Sequence, residues 1–145
     1  MPYLKILIDR FDRNKDHPLK RAIDVLDMIE FSITYPACDT ITNYELNEID
    51  RRVKKVQTEL KDDPILANRI EKWWMKRETC KATAKKVHAH GSDHITILQY
   101  HERIISIRNA KVALIKRLRG EGSTMEEHGL FGSRFPQLST IIDSN

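Results

Sequence analysis

The apolar residues between positions 46 and 60 recur at alternating intervals of three and four. They are Leu46, Ile49, Val53, Val56 and Leu60. Because 3.6 residues complete one turn, this spacing places all of them along one side of an α-helix. The stripe is narrow and spans about two heptads, which is typical of a coiled-coil seam that is buried against one partner helix. It therefore predicts a long helix, and a capping box formed by Thr42 and Glu45 marks where that helix begins.

Helical spacing also predicts elements on either side of this seam. Residues 4–11 have the spacing of a short N-terminal helix, with a strand over residues 4–8 as the alternative. A second helix begins near Pro18 and ends before Pro36, because the residue before a proline avoids the α region. Asp63 and Pro64 begin the helix after the seam, the fourth in the chain, which continues to residue 90. The 145-residue chain has only five Gly and five Pro, which favours a helical design over a turn-rich one.

The last predicted helix, residues 93–119, begins at Ser92 or Asp93 and has an unusually wide apolar stripe. The stripe contains Leu98, Ile105, Val112 and Ile115, and is widened by Ile95, Ile97, Ile104, Ile107, Leu114 and Leu118. A face this wide needs more than one neighbouring helix, which predicts a homo-oligomer. Gly91 is a plausible left-handed cap in a short connection, so helices 64–90 and 93–119 are expected to form an antiparallel hairpin.

These elements predict an all-α protein built as a long antiparallel helical hairpin or bundle with coiled-coil-like seams. Residues 1–120 are expected to form a single helical domain, with a small N-terminal helical part at 1–40 and long helices over 43–119. Residues 121–145 follow a Gly- and Ser-containing break and have apolar residues without a sustained period. They are predicted to be an extended, flexible or partner-docking tail that contacts another protein.

Charge is unevenly distributed along the chain. Residues 66–120 contain 13 Lys and Arg against 4 Asp and Glu, whereas residues 1–65 contain 11 against 13 and residues 121–145 contain 1 against 4. Because the basic residues fall on predicted long helices, they are expected to form a concentrated positive surface that attracts polyanions. This pattern predicts contact with the phosphate backbone of DNA or RNA.

The expected phosphate contacts lie on the two helices of the predicted hairpin. They are Arg69, Lys72, Lys76, Lys81, Lys85, Arg108, Lys111, Lys116, Arg117 and Arg119. Trp73 and Trp74 are adjacent and point about 100° apart on a helix, so they cannot both face one seam. Trp73 is expected in the core, whereas Trp74 is predicted to be a protein-interface anchor or a surface on which a base stacks.

A histidine-rich stretch offers a different chemistry. His88, His90, Asp93 and His94, with His101 further on, resemble the H-x-H-x-D-H zinc motif of metallo-β-lactamase-type hydrolases, except that one residue is inserted before Asp93. The resemblance implies a metal-dependent hydrolase, which is kept as the second alternative. The inserted residue breaks the ligand spacing, so we predict a polar turn between helices with no bound metal and no cofactor.

No phosphate-binding nucleotide loop and no nucleophilic constellation is evident, so the chain is not expected to be an enzyme. No apolar run is long enough to span a membrane, no secretory signal is evident at the N-terminus, and the two cysteines, Cys38 and Cys80, are expected to be reduced thiols in the cytoplasm.

The leading hypothesis is a self-associating helical protein that binds nucleic acid through its basic surface. Its layout is similar to that of viral genome-packaging components such as small terminase subunits, although no residue motif carries the comparison. The first alternative is a protein–protein adaptor or scaffold subunit.

Overall fold

The computed structural model describes residues 2–90 and 93–120, and this part of the chain is all-α as predicted. Its α-helices are α1 (Pro2–Arg13), α2 (Pro18–Ile33), α3 (Asn43–Glu59), α4 (Pro64–Met75), α5 (Arg77–His90) and α6 (His94–Leu118). A short 3₁₀ helix, Ala37–Thr40, connects α2 to α3. The alternative strand over residues 4–8 is wrong, because these residues belong to α1.

The predicted helix starts are present with their capping hydrogen bonds. The Glu45 backbone N–H donates to Thr42 Oγ1 (3.2 Å), and the Thr42 N–H donates to Glu45 Oε1 (2.9 Å), which completes the capping box. Asp63 accepts from the Leu66 N–H at 3.2 Å and begins α4. Asp93 accepts from the Thr96 N–H at 2.8 Å and begins α6. The predicted cap at Gly91 lies outside the described residues.

Helix α2 lies at the centre of the helical array. It contacts each of the other five α-helices in the described part of the chain, and also the 3₁₀ helix. Leu26, Met28, Ile29 and Ile33 are fully buried in the core that results. The N-terminal part of the chain therefore supplies the element against which the later helices pack.

The predicted seam of α3 is buried. Ile49, Val53 and Val56 are almost completely inaccessible to solvent, and Leu60 at the end of the stripe is also buried. Helix α3 packs against both α2 and α4, so the stripe serves two neighbours where one was expected. The burial of these side chains contributes about 1.5–3 kcal/mol each to folding.

The predicted continuous helix over residues 64–90 is wrong, because it is interrupted at Lys76. The Lys76 N–H still donates to the Lys72 carbonyl at 3.1 Å, whereas the Trp74 carbonyl accepts from Arg77 Nη1 at 2.9 Å. In an uninterrupted α-helix this carbonyl would accept from the N–H of residue 78. The arginine side chain satisfies it instead, so α4 can end at Met75 and α5 can begin at Arg77.

Helix α6 packs against α2 and α5, and only part of its predicted apolar stripe lies in these contacts. Ile104, Ile107 and Leu114 are buried, together with Ala110 and Ala113. In contrast, Leu98 is 49% exposed, Ile105 39% and Val112 50%, so the helices of the described part of the chain leave this side of the stripe uncovered. The rotation of α6 follows its contacts with α2, where Lys111 reaches two acidic side chains.

None of the described helices is both long enough and apolar enough to cross a lipid bilayer. Cys38 and Cys80 are both free thiols and both buried. Burial raises the pKa of each thiol, which keeps it in the neutral form. The predicted tail, residues 121–145, lies outside the described residues.

Candidate anion-binding face

The predicted phosphate-binding residues divide into those with an acidic partner and those without one. Lys81 and Lys85 on α5 both face Asp39, at 4.0 Å and 3.0 Å. The hydrogen bond to Asp39 raises the pKa of Lys85. Arg117 near the end of α6 pairs with Asp63 at 3.1 Å. These ion pairs reduce the charge that each cation presents to a polyanion.

Arg108 and Lys111 are neutralised in the same way by α2. Lys111 Nζ lies 2.7 Å from Asp27 Oδ1 and 3.0 Å from Glu30 Oε1, and Arg108 Nη2 lies 3.2 Å from Glu30 Oε2. Burial alone would lower the pKa of Lys111, but the hydrogen bonds that it donates to the Asp27 and Glu30 carboxylates raise it. Arg10 on α1 reaches the other Asp27 oxygen at 3.0 Å, so one network joins α1, α2 and α6. Lys111 is thus a structural cation.

Lys72, Lys76 and Arg103 form a second group, which we call the cation cluster. Lys72 and Lys76 are exposed at the end of α4, one helical turn apart, and Arg103 is half-buried on α6. Within the described residues, none of the three forms an ion pair with a carboxylate. The pKa of Lys72 is lowered by partial burial and by the positive charges of Lys76, Arg103 and Arg69. These like charges therefore lie close enough to repel one another.

The other predicted cations have separate positions. Arg69 lies on α4 near the cluster, adds to its positive field and makes interactions of its own. Lys116 and the exposed Arg119 lie at the C-terminal end of α6, several turns beyond Arg103. Positive charge there is favoured by the helix dipole.

Arg103 was not among the residues predicted from the sequence. It follows Glu102 directly, so the local charge sums to zero and the position does not stand out. Adjacent residues on a helix point about 100° apart, however, so Glu102 does not share a face with Arg103. The position of Arg103 could therefore be identified by assigning the charges of residues 93–119 to helix faces, whereas adding the charges along the sequence hides it.

A cleft of about 100 Å³ lies between α5 and α6 beside the cation cluster. Thr79, Thr83, Thr96, Gln99 and Arg103 supply its polar lining, and Cys80 and Tyr100 complete it. Nη1 of Arg103 is shielded from solvent and has no hydrogen-bond partner in the described part of the chain. Because a buried guanidinium N–H without an acceptor is unfavourable, this cleft is a candidate site for an anionic group.

The structure contradicts the predicted exposure of Trp74. Its side chain is 4% exposed, Nε1 donates to Asp50 Oδ1 at 2.8 Å, and the Arg77 guanidinium lies 4.1 Å from the ring centroid. Asp50 and Arg77 thus occupy the polar edge and the face of the indole. A base cannot stack on this ring, so Trp74 has a structural role.

The described residues of the histidine motif have separate contacts. His88 is exposed and packs against the Tyr35 ring at 4.4 Å, whereas Asp93 caps α6. His101 contacts the neighbouring Tyr100 ring at 5.5 Å, and the side chain of His90 lies outside the described residues. Among the residues described, no three His, Cys, Asp or Glu side chains are grouped to hold a metal ion.

The cation cluster and its cleft are therefore the best candidate for a functional site in the described part of the chain. Comparison with protein-family models, with curated proteins and with solved structures found no match to this chain.

Proposed function

We propose that this protein is a non-enzymatic, self-associating helical protein that binds the phosphate backbone of nucleic acid through the cation cluster. Lys72, Lys76 and Arg103 carry the contact, and Arg69 adds to their field. Binding of this kind depends on charge and shape with little base recognition, because no element suited to a DNA groove accompanies the cluster among the described residues. A component that handles or packages a genome, as in a virus or phage, is one example of this class.

The observation that carries the proposal is the absence of an acidic partner for these three cations among the described residues. Their mutual repulsion is unfavourable in the free protein and is relieved when an anion lies among them. Release of counterions from the nucleic acid adds a favourable entropy that depends on salt. The paired cations Lys81, Lys85, Arg108, Lys111 and Arg117 contribute less, because an acid already satisfies each of them.

Self-association is proposed from the exposed side of α6. Leu98, Ile105 and Val112 are seven residues apart, so they form one apolar line along the helix. A second copy that presents the same line would bury both stripes in a coiled-coil-like pair. The two free cysteines support the cytoplasmic location that such a role requires.

The function is tested by binding of the full chain to a generic duplex and to a generic single strand, over salt from about 50 to 200 mM. We expect binding to both at the low end of this range, with an affinity that falls steeply as salt rises. Absence of binding to either nucleic acid at about 50 mM salt contradicts the proposal, because electrostatic attraction is strong there.

Light scattering tests self-association. A particle larger than the 17.0 kDa chain is expected at tens of micromolar, and Ile105→Glu should reduce it to a monomer. A wild-type monomer contradicts self-association, and the exposed line on α6 then favours the adaptor or scaffold alternative, with another protein as the partner.

A further inference from the structure

The cleft between α5 and α6 has hydrogen-bond donors that nothing in the described part of the chain satisfies. Arg103 lines the cleft, and its Nη1 is buried without an acceptor. The Thr79 hydroxyl and the Gln99 side-chain amide also line it; both side chains are exposed, and neither makes a hydrogen bond among the described residues. A buried unpaired donor in a folded protein calls for a partner.

The remaining hydroxyl groups of the cleft have already used their protons. Thr83 Oγ1 donates to the Thr79 carbonyl at 3.0 Å, Thr96 Oγ1 donates to Asp93 Oδ2 at 2.5 Å, and the Tyr100 hydroxyl donates to the Ile33 carbonyl at 3.2 Å. The groups of the cleft that remain free to bind a ligand are therefore mainly hydrogen-bond donors, on Arg103, Gln99 and Thr79. A ligand that matches it must present several acceptors close together.

The charge around the cleft favours an anion. Arg103 belongs to the cation cluster, and the positive charges of Arg103 and Lys76 both act on Cys80 in the cleft wall. Asp93, which contacts the lining residue Thr96, already accepts hydrogen bonds from the Thr96 hydroxyl and N–H groups at the start of α6. The volume of about 100 Å³ is enough for several water molecules or one small polyatomic anion.

We propose that this cleft binds the terminal phosphate of a phosphomonoester, with Arg103, Gln99 and Thr79 donating hydrogen bonds to its oxygens. A terminal phosphate has one ester link, so it can enter a small cleft from one side, whereas a phosphate inside a strand must leave room for chain on both sides. The ligand is either the phosphorylated end of a nucleic acid or a free compound such as a mononucleotide. The site goes beyond the proposed function and does not depend on it.

The experiment is a titration of the full chain with inorganic phosphate at constant ionic strength, followed by ¹H–¹⁵N NMR, with chloride as the reference salt. Saturable shifts are expected at the Thr79 backbone amide and the Gln99 side-chain amide. Arg103→Gln should weaken the affinity about tenfold or more, because it removes a charged hydrogen-bond donor. Arg108→Gln is the matched control on the same helix and should leave the affinity within about twofold, because Arg108 pairs with Glu30.

Thr79→Val provides a second variant that keeps the charge and nearly the shape. It should weaken phosphate binding by about two- to tenfold, the range for one neutral hydrogen bond. This variant keeps the test decisive if Arg103→Gln does not fold. The proposal is overturned if phosphate produces no saturable shifts beyond those of chloride, or if the wild type, Thr79→Val and Arg103→Gln bind phosphate equally.

Two further arms identify the source of the phosphate. A nucleic-acid end is supported if a 5′-phosphorylated oligonucleotide binds more tightly than its 5′-hydroxyl counterpart, and if Arg103→Gln abolishes the difference. A free phosphomonoester is supported if a mononucleotide gives the same shifts as inorganic phosphate while the two oligonucleotides bind alike. Failure of the phosphate titration with retained salt-dependent binding of both oligonucleotides overturns the cleft proposal alone and leaves the proposed function in place.

Discussion

The basic residues of helix α6 fall into two regions with different surroundings: one lies beside acidic side chains, and the other lies beside further basic side chains. Arg108 and Lys111 face α2, where Asp27 and Glu30 neutralise them at distances of 2.7–3.2 Å. Arg103 lies instead beside Lys72 and Lys76 and has no carboxylate partner in the described part of the chain. A sum of charges along the sequence treats the two regions alike. Packing decides which cations hold the fold together and which remain available to a ligand.

The largest expected effect that separates the two regions is on stability. Lys111→Met removes the shared partner of Asp27 and Glu30 and should lower the free energy of unfolding by about 2–3 kcal/mol, somewhat less than for a fully buried pair. Lys72→Met removes an exposed cation and should change it by no more than about 0.5 kcal/mol. Urea denaturation measures both variants. Equal losses would show that the two regions do not differ as described.

A substitution at Trp74 tests whether this side chain stabilises the fold or binds nucleic acid. Trp74→Phe removes the hydrogen bond to Asp50 and should lower the free energy of unfolding by about 1–2 kcal/mol. Its affinity for single-stranded nucleic acid should remain within about twofold of the wild type, because the ring is buried. Trp74→Ala, which removes the ring altogether, should also leave that affinity within about twofold, whereas loss of a stacked base would weaken it by about 1–3 kcal/mol. Tyr44→Phe, at an exposed aromatic residue, is the control for stability.

The paired region should also show a specific dependence on pH. Burial would raise the pKa of Glu30, but hydrogen bonds from Arg108 and Lys111 outweigh it and lower the pKa below the ordinary 4.5. The ionised form is therefore favoured in the folded state, and its contribution to stability is present above pH 4.5 and is lost as the pH falls through the lowered pKa.

Glu30→Gln should consequently cost about 1 kcal/mol at pH 7, and the difference from the wild type should shrink as the pH falls below 4.5. Thermal or urea denaturation at several pH values measures this difference. Glu78→Gln, which removes an exposed carboxylate, is the control and should show no such trend. A constant difference between pH 7 and pH 3 would contradict the assigned role of Glu30.

Much of the fold could be predicted because the signals are local. The capping box of Thr42 and Glu45, the caps at Asp63 and Asp93, and the 3,4-spaced stripe of α3 each depend on residues within a few turns of one another. Such signals specify where a helix begins and which side of it is apolar. They do not specify how two helices rotate against each other.

The errors arose where distant residues decide the outcome. The burial of Trp74 depends on Asp50 from another helix. The break at Lys76 is a local exception: the Arg77 side chain satisfies the Trp74 carbonyl three residues earlier, and the apolar spacing gives no sign of it. Pairing of Lys81 and Lys85 with Asp39, more than 40 positions earlier, could not be read from spacing on α5. The acids that separate the two basic regions lie far from them in sequence.

Two pairs of lysines with identical i, i+4 spacing provide the most direct test of the central claim. The claim is that a basic side chain is available to bind phosphate when it has no acidic partner. Lys72 and Lys76 belong to the cation cluster, whereas Lys81 and Lys85 share Asp39. The measurement is the slope of log affinity for duplex DNA against log salt, in Lys72→Ala/Lys76→Ala and in Lys81→Ala/Lys85→Ala. We expect the first pair to reduce the slope by about 1.8, or roughly 0.9 for each lost phosphate contact, and the second to leave it nearly unchanged. Equal reductions in the two variants, or a larger one for Lys81 and Lys85, would contradict the account.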